Sequence, residues 1–167
     1  MTGFADQVAS HIPALRRYAR ALLGEPGAAD DLVQDCLERA LSRAHLWRRP
    51  DNLRAWLFTI MHNLHANQRR RLSQRPPALA LDGLPEPGRP AMQMDGAVAR
   101  ETLAALRSLS EEHRQVLLLV GVEGLSYSET AGVLAVPIGT VMSRLSRARE
   151  RLRQIERGEV RPSLRSV

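Results

Sequence analysis

Thr140, Ser143, Arg144 and Arg147 stand three and four residues apart, the spacing that gathers side chains on one face of an α-helix. Short hydroxyls and guanidiniums sharing a face can hydrogen-bond base edges and phosphates in the major groove of DNA. A second set, Thr59, Asn63, Asn67 and Arg70, falls along one edge of another helix beside Trp56 of its apolar arc and runs into Arg69-Arg70-Arg71. It offers an aromatic face for stacking, amides for base edges and cations for phosphates, although Trp56 is also expected to serve the core in part. A third set has the opposite sign. Asp31, Gln34, Asp35 and Glu38 share the polar face of a helix inside a stretch, Glu25 to Glu38, that holds five acids and no base. Either this is a solvated face partly paired with Arg39 and Arg43, or it is a docking face for a second protein.

Catalytic chemistry finds no comparable constellation. His62 and His65 are three residues apart and could share a metal, but no third ligand lies nearby in the chain. Asp30-Asp31 and Glu111-Glu112 are expected as acids in the first turns of helices, where the macrodipole favours them. No catalytic residue, metal or cofactor is therefore expected. The chain has 167 residues, 44% hydrophobic and only 4% aromatic, and no apolar run reaches the ~18 residues of a membrane span. With no basic-then-apolar start and a single cysteine, Cys36, the expected compartment is the cytoplasm. The net charge of +6, carried entirely by arginine on the basic side, favours a polyanionic partner. Total replacement of lysine more simply reflects a GC-rich coding bias.

The elements that must position these sets are all helical. Residues 12–23 carry an amphipathic stripe that ends at Gly24. Glu25-Pro26-Gly27 breaks it, and Leu32, Val33, Cys36, Leu37, Ala40, Leu41 and Ala44 predict a second helix with Asp30-Asp31 near its start. His45 to Asn52 predicts a loop, with Asn52 capping a long helix from Leu53 to about Arg71. Residues 76–96 hold five of the ten prolines and no sustained period, which predicts a flexible linker. Beyond it, Val98 to Leu109 forms one helix, Ser110 caps another, and Ser126 with Glu129 makes a capping box for a third. After a turn at Ala135, where glycine is usual because the backbone wants positive φ, Pro137 opens a last helix. Its Ile138, Val141, Leu145, Ala148 and Leu152 form the inward stripe. The last two helices make a helix-turn-helix whose recognition helix is basic outside. The expected architecture is all-α, with two small helical domains at 1–75 and 97–157, the linker at 76–96 and a frayed tail at 158–167.

In this order, ADDLVQDCLERAL, NLRAWLFTIMHNLHANQRRR and LSYSETAGVLAVPIGTVMSRLSRAR closely resemble bacterial RNA polymerase sigma factors of the extracytoplasmic-function (ECF) group, over roughly residues 10 to 153. The resemblance implies a region 2-like domain that binds core polymerase and the -10 promoter element, and a region 4-like domain that reads the -35 element. Asp31, Gln34, Asp35 and Glu38 would dock on the β′ clamp helices, with the β flap as a further polymerase contact. Trp56, Asn63, Asn67 and Arg70 would serve the -10 region, Asn63 as the reader of a flipped base. Thr140, Ser143, Arg144 and Arg147 would reach the -35 element. The group is usually controlled by an anti-sigma factor, and a general-stress subset with a partner-switching response regulator has a similar N-terminal half. Two other readings fit part of the pattern: a stand-alone helix-turn-helix regulator, and a sigma-like decoy that binds an anti-sigma factor without DNA.

Overall fold

A computed structural model describes residues 3–47, 52–74 and 96–162. Among them the chain is helical throughout: α1 (Phe4–Ser10), α2 (Ile12–Leu23), α3 (Pro26–Ser42), a 3-10 turn (Ala44–Leu46), α4 (Leu53–Ser73), α5 (Ala97–Ser108), α6 (Glu111–Leu117), a π-helical turn (Leu118–Val122), α7 (Tyr127–Leu134) and α8 (Ile138–Glu156). The expected linker at 76–96 lies outside the described residues except for Gly96.

Punctuation and stripe periodicity account for these bounds. α2 stops at Gly24 in the left-handed region (φ 73°). α3 starts earlier than expected: Pro26 takes its first turn, and the Glu25 carboxylate accepts from the amides of Gly27 (2.7 Å) and Ala28. Glutamate is a long residue for a cap, which is why the break was legible and the start was not. Asp30 and Asp31 consequently sit beyond the first turn, and Asp30 faces Arg16 and Arg20 of α2 at 4.0 and 3.5 Å. Asn52 precedes α4 without a side-chain capping bond. The capping box of Ser126 and Glu129 is closed by both bonds, 2.8 and 3.1 Å.

The first helices bury Leu15, Tyr18, Leu32, Cys36, Leu57, Phe58 and Met61. Tyr18 and Phe58 meet edge to face at 5.2 Å, and the Cys36 thiol donates to the Leu57 carbonyl at 3.4 Å. Burial pushes that thiol up to about 12, so it is an inert core residue. The second set buries Val116, Leu118, Leu119, Val133, Val141, Leu145 and Ala148. Two expected stripe members differ: Leu41 and Ile138, each near a helix end, are half exposed, at 48% and 49%.

The two sets also pack on each other. One apolar cluster runs from Leu15 and Phe58 through Leu118 and Leu119 to Val141, and α4 lies along α7. Separate domains were expected from the linker; the seam between them was not.

Candidate nucleic-acid interface

The turn of the helix-turn-helix is built as its sequence demands. Ala135 is the one non-glycine residue with positive φ among those described (φ 52°, ψ 45°), and Val136 N–H closes the end of α7 on the Ala131 carbonyl. α8 then presents Ser143 and Arg147 to solvent, with Thr140 half-buried and Ser143 donating to the Thr140 carbonyl. Arg144 sits differently. Its side chain is only 21% exposed and reaches Glu112 of α6 at 3.3 Å. His113, one residue on, has its pKa lowered by burial and then by the charges of Arg147 and Arg144, the Glu112 carboxylate opposing them.

On α4, Asn63, Asn67 and Arg70 are exposed and share an edge, with Arg70 donating to the side-chain amide oxygen of Asn67. Thr59 and Trp56 continue that edge but are half-buried. Thr59 spends its hydroxyl on the Ala55 carbonyl. Trp56 lies 6.3 Å from Phe4, which also meets Trp47 at 5.1 Å. The tryptophan is therefore partly a wall of the core, as its type suggested, and α1, which carries Phe4, is an element sequence periodicity did not disclose. Trp56 and Thr59 also border a cavity of about 520 Å³ whose far side is α7.

The acidic face of α3 is where helical spacing puts it. Asp31, Gln34, Asp35 and Glu38 are all exposed, Gln34 donates to Glu38 at 3.1 Å, and Gln68 of α4 approaches Asp35 at 3.5 Å.

Between the helix sets lies a polar network with no warning in the sequence beyond an acid closing an apolar run. Glu123 follows the π-helical turn, whose extra residue per turn rotates it inward; its amide bonds the Leu118 carbonyl at 2.8 Å. Its side chain is wholly buried and is gripped by Arg17 of α2 (2.9 and 2.7 Å) and Arg54 of α4 (2.6 Å). Nearby, Glu111 receives His65 at 2.9 Å and Arg69 at 2.7 Å. Burial alone would raise the Glu111 pKa, but hydrogen bonds and charge from His65 and Arg69 hold it below the usual carboxylate value. The Arg114 fork donates to the carbonyls of Leu22, Leu106, Arg107 and Leu109, and Arg107 reaches the Gly24 carbonyl at 3.2 Å. His65 is thus committed to a carboxylate, and no group of three or more metal-type ligands occurs among the described residues. No helix among them is long and apolar enough to cross a membrane.

Residues 8–62 match the family model described as the Sigma2 domain of PhyR, and residues 99–152 match Sigma-70, region 4. The ECF RNA polymerase sigma factor EcfG of Rhodopseudomonas palustris is 36% identical over 152 residues, covering 88% of this chain and 81% of the relative. Among solved structures, the sigma factor RpoE of Bartonella quintana in complex with the anti-sigma factor NepR has a TM-score of 0.79 at 31% identity, covering 96% of this chain and all of that one. The PhyRSL–NepR complex from Sphingomonas sp. Fr1 gives 0.67 at 26% identity, covering 99% and 93%.

Proposed function

This chain belongs to the ECF RNA polymerase sigma factors, proteins that bind core polymerase and direct promoter recognition, and from that membership we infer how its surfaces divide the task. Residues 1–75 dock on core polymerase and handle the -10 element, 76–96 link, 97–157 read the -35 element, and 158–167 are a tail. Asp31, Gln34, Asp35 and Glu38 meet the clamp helices of β′, and the second domain meets the β flap. Trp56, Asn63, Asn67 and Arg70 handle the opened -10 strand, and Thr140, Ser143, Arg144 and Arg147 the -35 duplex. The chain acts in the cytoplasm and catalyses nothing itself.

The observation that supports this division is the exposure, on one molecule, of the acidic set on α3, of Asn63, Asn67 and Arg70 on α4, and of Ser143 and Arg147 on α8. Capturing an extruded base means offsetting an unstacking cost of a few kcal/mol, which exposed amides beside cations are suited to do. Control by an anti-sigma factor of the NepR kind, within a general-stress subset, is supported by the likeness to RpoE bound to NepR and to the NepR-bound PhyR module. The latter likeness also favours a second reading, a decoy that only sequesters an anti-sigma factor. A decoy has no use for Asn63 or for the arginines of α8.

In vitro transcription separates the two. Purified chain added to core polymerase on its own operon's promoter should give a discrete start site, and permanganate should show Asn63→Ala losing promoter opening more than duplex binding. Absence of any start-site selection would sink the sigma reading and leave the decoy.

A further inference from the structure

The first half of α8 carries four exposed residues, Gly139, Met142, Ser143 and Ser146, at the i, i+3, i+4, i+7 spacing that makes one strip along a helix. Ile138, one turn before Met142, borders the strip, and the two side chains are 49% and 52% exposed. The core does not need them. Val141, Leu145 and Ala148 already bury the inward side of the helix. A single exposed methionine is ordinary on any surface, so its neighbours decide what it means.

Arg147 and Arg149 flank the strip on opposite sides. Both are exposed, and among the described residues neither forms an ion pair. The strip between them is uncharged. Thr140 is half-buried and Arg144 is held by Glu112, so two members of the expected -35 set stand back from it. Gly139 adds a separate observation. Its φ is not positive, and a Cβ built on it meets nothing within 4 Å. Neither backbone conformation nor packing inside the chain calls for a glycine there, whereas close approach by an outside surface does. The flanking cations call for a polyanion, and the apolar strip for the one apolar group that the major groove of DNA displays, the 5-methyl of thymine. Methionine suits that group, because its unbranched thioether chain can follow a small apolar target.

We propose that Met142 is a specificity-determining residue that packs on the 5-methyl group of a thymine in the -35 duplex, with Ser143 and Ser146 beside it on the neighbouring base edges. This rests on the -35 assignment of α8 and adds to it an apolar contact that the hydroxyls and guanidiniums do not supply. Thymine is then read by its methyl group rather than by a hydrogen bond.

The test uses holoenzyme assembled from core polymerase and the full chain, on the promoter of the chain's own operon. Each thymine of the -35 element, on either strand, is replaced singly by deoxyuridine, which removes the methyl group and nothing else. The half-saturating holoenzyme concentration, read by footprinting, should rise about fourfold at one position, the equivalent of ~0.8 kcal/mol for one methylene-sized group taken out of water. Met142→Ala should bind the unmodified promoter about fourfold more weakly and no longer distinguish thymine from deoxyuridine there, while Met142→Leu should keep the distinction. Wild-type holoenzyme indifferent to every deoxyuridine, or a -35 element without an A·T pair, overturns the proposal. So does Met142→Ala that discriminates as well as the parent, including a variant that merely assembles less well with polymerase, since Met142 would then be a protein contact. The -35 assignment is judged separately: it fails if replacing the whole element by unrelated sequence leaves binding unchanged, whereas binding lost to that replacement but not to deoxyuridine removes only the methyl contact.

Discussion

At the residue scale, two side chains on one face of α8 stand in different electrostatic company. Arg147 is exposed, whereas Arg144 must leave Glu112 before it can touch a base. Arg147→Ala should therefore weaken -35 binding more than Arg144→Ala, by about 1–3 kcal/mol if the lost contact is a bidentate one to guanine. Competition titrations with single-base operator variants measure both, and equal losses would contradict the ranking. Ala135 is the clearest stability lesion among the described residues. Its positive φ costs an alanine about 1 kcal/mol, and Ala135→Gly should raise stability by that amount in urea unfolding while keeping the turn. That cost is legible in the sequence, since the position between a capping-box helix and Pro137 calls for a left-handed residue. The opposite holds for Glu123, whose neighbours Gly121 and Gly124 mark a turn but not which way the acid points.

Among elements, legibility followed periodicity. α2 and α4 were readable because long apolar stripes end in glycine or arginine-rich turns, and α7–α8 because cap and turn chemistry agree with the stripe. α1 was not, since seven residues with one buried side chain, Val8, carry too little period to see. The π-helical turn was not either, because an apolar run of LLLVGV is compatible with helix of any pitch. The exposed acids of α3 were legible as a face, and they support a prediction specific to that helix. Reversing charge at Asp35 and Glu38 should cut association with core polymerase while leaving the circular dichroism spectrum intact, because neither side chain supports the core. Undiminished pull-down would remove α3 from the docking surface.

For the whole molecule, the seam between helix sets combines apolar contact with two ion clusters, one of them centred on a fully buried carboxylate. Breaking a buried pair costs about 3–5 kcal/mol when both partners are sealed; here Arg17 and Arg54 are half exposed, so Glu123→Gln should cost nearer 2 kcal/mol. Small-angle scattering should show the variant expanding at salt concentrations where the parent stays compact. Acid should act in the same direction. His11 and His62 are held below their ordinary 6.5 chiefly by burial, as is His113, so their contribution is full above that pH and is lost as pH falls through the lowered values. Glu111, held below 4.5, contributes above that value and loses its ties as pH drops through its own. Melting temperature should decline from pH 7 toward 4 without recovering, and a rise on acidification would refute the linkage.

The inward turn of Glu123 reaches beyond shape to lifetime. Cleavage of a native protein generally follows the population of its opened form. A chain fastened along the seam should therefore resist proteases. Glu123→Gln, which loosens that fastening, should be cut faster than the parent in limited proteolysis, so one buried carboxylate governs how readily the free chain is degraded.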